Sequence, residues 1–104
     1  MATKEQMNVL AKWALHKLTE IDYKVHNLSF SILLMFGHDG NFIDIVVGDV
    51  SIQKDNTSLL LFEAGSISDH IEKLSELISA IESDNYNTVL NITETHRATN
   101  TTPS

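Results

Sequence analysis

From Leu28 to Phe36 the chain places a large apolar residue at every second position, Leu28, Phe30, Ile32, Leu34 and Phe36, with Ser29, Ser31, Leu33 and Met35 between them. A period of two marks a strand with one buried face, because successive side chains of an extended backbone point to opposite sides. Here the even-numbered face is the buried one, and the far end of the strand is apolar on both sides. Gly37-His38-Asp39-Gly40-Asn41 follows. Its Gly and Asp/Asn residues accept positive φ or bond their own backbone, so the run predicts a hairpin turn. A second strand is then expected from Phe42 to about Gln53, with Gly48-Asp49 inside it as a bulge or a break into two short strands. Lys54-Asp55-Asn56-Thr57 predicts another hairpin, and Ser58 to Glu63 a third strand. Connections this short leave an antiparallel meander as the natural topology.

Helical periods flank this sheet. Thr3 with Gln6 three residues on matches a capping box, which starts a helix near Lys4. Met7, Leu10, Ala11, Ala14, Leu15, Leu18 and Ile21 then fall within an arc of roughly 140° when each residue is advanced by about 100°. That arc faces the core. The same arithmetic sets Val9, Trp13 and His16 on the far side, where a helix packed on one side only carries polar residues. After Ala64-Gly65-Ser66, the pair Ser66 and Asp69 resembles an N-cap with a shorter acid. Ile67, Ile71, Leu74, Ile78 and Ile81, with Leu77 beside them, make the apolar stripe of a second helix, opposite Asp69, Glu72, Lys73, Glu76 and Ser79. Ser83-Asp84-Asn85 breaks that helix. Thr88 to Thr93, with Val89, Leu90 and Ile92, reads as a short fourth strand at the sheet edge, and the polar, Thr-rich residues from Glu94 read as a disordered tail. The expectation is an α+β fold: helix, antiparallel meander of three or four strands, helix, short edge strand and tail, with one domain over 1–93 and a flexible tail over 94–104.

The chain has 104 residues, 42% of them hydrophobic and 20% charged, which is enough apolar material for one core without further staples. Cysteine is absent, which excludes disulfides, thiolate metal sites and cysteine nucleophiles together. The first ten residues lack the basic and apolar runs of an export signal, and the longest apolar run, Ile32 to Phe36, is far short of a membrane span. A cytoplasmic location and no membrane contact are expected. The net charge is −7, and residues 55 to 104 hold eight acids against Lys73 and Arg97, so direct binding to phosphate backbones is disfavoured and a basic protein surface is the expected partner. Acidity that serves solubility alone is the competing account.

A search for chemistry finds little. The five histidines, His16, His26, His38, His70 and His96, show neither H-x-x-x-H nor H-E-x-x-H spacing, and no metal site or cofactor is expected. His38, Asp39, Asp44 and Asp49 are the best set for a general acid and base, but turn geometry, a strand break and an outward-facing strand position explain them as well. G-x-S-x-G and Gly-rich phosphate loops are missing, so catalytic residues are not expected.

Two surfaces stand out instead. Val9, Trp13 and His16 form an apolar strip that includes the only Trp, a residue type enriched where proteins meet, and it either folds under another part of the chain or packs on a second copy or a different protein. Asp69, Glu72 and Glu76 line one helix face at i, i+3 and i+7, either as a solvated surface or as a match for a basic cluster. The order of elements is similar to several small acidic binding proteins of phage and bacteria: toxin-immunity proteins, inhibitors of host defence and secretion chaperones. With the two surfaces above, the expectation is a non-enzymatic, homodimeric protein-binding module of inhibitor or immunity type that assembles through the Val9, Trp13 and His16 strip, turns the acidic face of its second helix to a basic target, and masks its partner. The alternatives are a small-ligand binder or minor enzyme with a pocket near the 37–44 hairpin, and a secretion-chaperone-like dimer or nucleic-acid mimic.

Overall fold

A computed structural model describes residues 1–21, 25, 27–38, 40–50 and 56–100, with side chains through residue 96. Six elements follow one another: α1 (Lys4–Ile21), β1 (Leu28–Gly37), β2 (Gly40–Asp49), β3 (Thr57–Phe62), α2 (Ile67–Glu82) and α3 (Tyr86–Asn100). The α+β class and the antiparallel meander expected from sequence are both present, with strand order β1-β2-β3. The start of α1 is the predicted capping box, in which Thr3 N–H donates to Gln6 Oε1 at 2.9 Å and Gln6 N–H to Thr3 Oγ1 at 3.1 Å. Ser66 caps α2 by accepting from the Asp69 N–H.

Cross-strand register decides which side chains share a face. Ile32 lies opposite Ile45 and Leu34 opposite Ile43, while Ile45 and Ile43 lie opposite Leu59 and Leu61. These form the face beneath the helices. Ile43, Ile45, Val47, Leu59 and Leu61 are fully buried there, against Met7, Leu18, Leu74, Leu77 and Ile81, and each large aliphatic buried this way stabilises the fold by about 1.5–3 kcal/mol. The opposite face carries Leu33, Asp44 and Leu60 in one row and Met35, Phe42 and Phe62 in the next, with the two phenyl rings 5.9 Å apart.

Several details depart from the sequence reading. Strand β2 keeps unbroken register with β1 through Gly48 and ends at Asp49, so Gly48-Asp49 is a strand end rather than a bulge, and residues 51–53 lie outside the described ones. A Cβ at Gly48 would meet the end of the exposed Asn56 side chain, which would have to swing aside. On α1, Leu15 is 53% exposed, and on α2 Ile71 is 46% exposed, although both fall within the apolar stripes. Each lies at the margin of its arc, where the facing element no longer reaches.

The largest departure is at the C-terminus. The residues 88–93 form no edge strand. They belong to α3, which also carries residues 94–100, the greater part of the expected tail. Thr88, Val89, Ile92 and Thr93 are β-branched and favour strands by propensity, but burial overrides propensity. Tyr86, Val89, Thr93 and His96 recur at i, i+3, i+7 and i+10 and are all buried, a helical stripe that contains a threonine and a histidine as full members. Asp84, in the left-handed region at φ 54, turns the chain between α2 and α3, and Asn85 Oδ1 accepts from the Thr88 N–H at 3.2 Å to begin the new helix.

Candidate functional site

Helices α1 and α2 lie side by side over the sheet, and their outward shoulders do not close on each other. Between them runs an open groove of about 770 Å³, floored by Val9, Leu10, Trp13, Ile67 and Ile71 and rimmed by Thr3, Glu5 and Gln6. Trp13 is half-buried and packs on the core, whereas Val9 is 67% exposed. Residues 84–93 are not among those lining this groove, and the cover that Trp13 receives from its own chain is partial. The groove also takes in Ile67 and Ile71, which by periodicity belong to the core stripe of α2. Sequence could point to them only by their position at the edge of that stripe.

His16 stands apart from the groove. Its Nε2 sits 3.0 Å from Glu20 Oε1 one turn further along α1, with 70% of its side chain in solvent. The acidic residues of α2 are likewise outward: Asp69 lies in the first turn, where a negative charge suits the helix dipole, and Glu76 Oε2 approaches Lys73 Nζ at 3.5 Å. Glu72 is exposed beside them. The three acids therefore share one solvated face, diluted by Lys73.

Residues 37–44 do not line the α1–α2 groove. His38 is exposed, Asp39 and His26 lie outside the described residues, and Asp49 ends β2. Asp44 sits in the middle of the outer sheet face between Leu33 and Leu60. Burial raises its pKa above the ordinary carboxylate value, and its Oδ1 is buried without a hydrogen-bond partner. No group of three metal-ligating side chains occurs among the described residues.

Two histidines that appear unrelated in the sequence meet on one strand edge. Among the described residues no strand lies beyond β3, and the carbonyls of Leu60 and Phe62 point away from β2. His70 Nε2–H, from α2, donates to Phe62 O at 2.7 Å, and His96 Nε2–H, from α3, donates to Leu60 O at 2.8 Å. Both imidazoles are buried. Beside them the Thr57 and Thr93 hydroxyls meet at 2.5 Å, and Thr93 also donates to Leu90 O at 3.0 Å, which leaves Thr57 as the donor of the pair. A Cβ at Gly65 would fall 2.5 Å from the His70 ring, so glycine is what lets the ring lie there. His96 has its pKa held below the ordinary imidazole value, first by burial and then by the nearby His70 and Lys73, with the Leu60 hydrogen bond acting the other way. The arrangement shields a sheet edge.

Comparison with known protein families, with curated proteins and with solved structures finds no match to this chain. The fold and the groove thus define it by architecture alone: a small acidic α+β domain that keeps an apolar channel open between two helices.

Proposed function

We propose that the chain is a non-enzymatic protein-binding module, which receives an amphipathic, basic helix of its partner in the α1–α2 groove. The observation that carries this reading is the continuous apolar floor of Val9, Leu10, Trp13, Ile67 and Ile71, because a monomer gains nothing from leaving such a surface in water. A helix laid in a groove buries residues at i, i+3, i+4 and i+7, a spacing that suits a channel between two parallel ridges. The partner's sign follows from charge. Glu5 stands on the rim, Asp69, Glu72 and Glu76 project from the neighbouring helix, and the whole chain carries −7, so lysines and arginines beside the apolar stripe are attracted and steered. Masking of such a helix is inhibition by occupancy, in line with an inhibitor or immunity type of action.

Trp13 reports on this directly, being the only tryptophan. Titration with a synthetic amphipathic helix bearing a leucine stripe and lysine flanks is expected to shift Trp13 emission to shorter wavelength and saturate. The same helix with glutamate flanks is expected to bind at least tenfold more weakly, a difference of about 1.4 kcal/mol, and Ile71→Asp to abolish the shift. Emission that stays unchanged with both peptides overturns the reading; equal affinity for the two removes its basic partner.

A further inference from the structure

The two edges of the sheet are treated in opposite ways. At β3 the outward carbonyls are taken up by His70 and His96. At β1 the backbone parity follows from one bond: Val50 N–H donates to Asn27 O at 2.8 Å, so odd-numbered residues turn their peptide groups toward β2. The N–H and C=O groups of Leu28, Phe30, Ile32, Leu34 and Phe36 therefore face outward. Among the described residues no hydrogen bond from another element reaches them.

This edge is ten residues long, and Leu28–Gly37 contains no charged residue and no proline. Those are the devices by which edge strands are usually blunted. Its side chains are also less covered than those of its neighbours. Phe30, Ile32 and Leu34 point to the helix side but are only half-buried, although Val47, Ile45 and Ile43 opposite them are fully buried, and on the outer side Leu33 is 51% exposed.

We propose that β1 pairs with β1 of a second copy, antiparallel about a two-fold axis, to give a continuous six-stranded sheet. Three observations select this occupant. Two chains of charge −7 repel each other least where a surface carries no acid, and Leu28–Gly37 carries none, with the cationic Lys4 Nζ 4.7 Å from the Phe36 ring at its end. An antiparallel edge is self-complementary, since a two-fold rotation sets each outward N–H against a C=O of the other copy. The closed β3 edge stops the addition at two copies, so the product is a dimer and not a fibril. The groove lies elsewhere and stays open in each copy.

Sedimentation of the full chain tests this. A mass of two chains is expected. A pairing centred on Ile32 or Leu33 sets the two Leu33 side chains opposite or diagonal to each other, so Leu33→Lys and Leu33→Glu are each expected to sediment as one chain with an unchanged circular dichroism spectrum. An equimolar mixture of the two should return to the mass of two chains. Trp13→Ala should remain at that mass, which separates this contact from the groove. A wild type at the mass of one chain overturns the proposal, as does a mass of two chains that persists in both Leu33 variants, or a mixture that stays monomeric. If either Leu33 variant loses its spectrum, the same pair of changes at the exposed Ser31 replaces it.

Discussion

Strands β1 and β3 are the two borders of one sheet, built from similar aliphatic residues, and they meet opposite surroundings. β3 lies under α2 and α3, and each helix lends a histidine to satisfy a carbonyl that a fourth strand would have bonded. β1 receives cover from α1 on part of one face, and among the described residues no hydrogen bond from another element reaches its outward peptide groups. What differs is where polar atoms were placed. A buried imidazole brings one directional N–H to a backbone acceptor while its ring packs like an apolar side chain, so helix and strand edge join without an orphan carbonyl. An aliphatic residue in the same place would leave that carbonyl buried and unpaired, at a cost of about 1–3 kcal/mol.

The contrast can be broken most severely at His96. Replacement by alanine removes the bond to Leu60 O and leaves a cavity between α3 and β3, and we expect a loss of about 2–4 kcal/mol in urea unfolding, together with aggregation through the newly opened edge. A smaller effect comes from pH. The folded-state pKa of His96 lies below its unfolded value, so the folded form binds fewer protons in that interval. Stability is therefore full above about pH 6.5, the ordinary imidazole value, and declines as pH falls from there toward the folded value. His96→Gln keeps a donor and removes the titration, and melting curves measured across that window should lose this part of their slope. The smallest effect is on the uncovered face. Asp44→Asn removes a carboxylate that burial disfavours and is expected to stabilise at neutral pH by at most about 0.5 kcal/mol, a gain that shrinks as pH drops into the carboxylate range and wild-type Asp44 takes up its proton. A melting temperature lowered by Asp44→Asn at pH 7 would mean that the outer face tolerates its charge better than its apolar neighbours suggest.

Much of this architecture was legible before any coordinates. The alternation at 28–36, the hairpin signals and the capping residues Thr3, Gln6 and Ser66 each follow from local rules, and the elements they imply are present. Half of the groove was legible too, since Val9 and Trp13 break the pattern of a one-sided helix. Its other half was not, because Ile67 and Ile71 obey their stripe and are uncovered only by how far α1 stands from them. α3 escaped for a related reason: its buried stripe includes Thr93 and His96, which a reading based on apolar residues discards. His70 occupies the position one turn before Leu74 on the core stripe of α2, which was the one local sign that a polar ring belongs inside. Nothing in the spacing of residues 60, 62, 70 and 96 announces that they meet.

The clasp on β3 also bears on how the chain comes into being. A protein is synthesised from its N-terminus, and His96 follows Leu60 by 36 residues. At about 5–20 residues per second, the Leu60 carbonyl emerges roughly two to seven seconds before the ring that will cover it. During that interval both borders of the nascent sheet offer open backbone groups, β1 along its length and β3 at Leu60. α3 is thus the closing step of biogenesis, and ribosomes stalled within its codons would display a sheet that can still grow from either side.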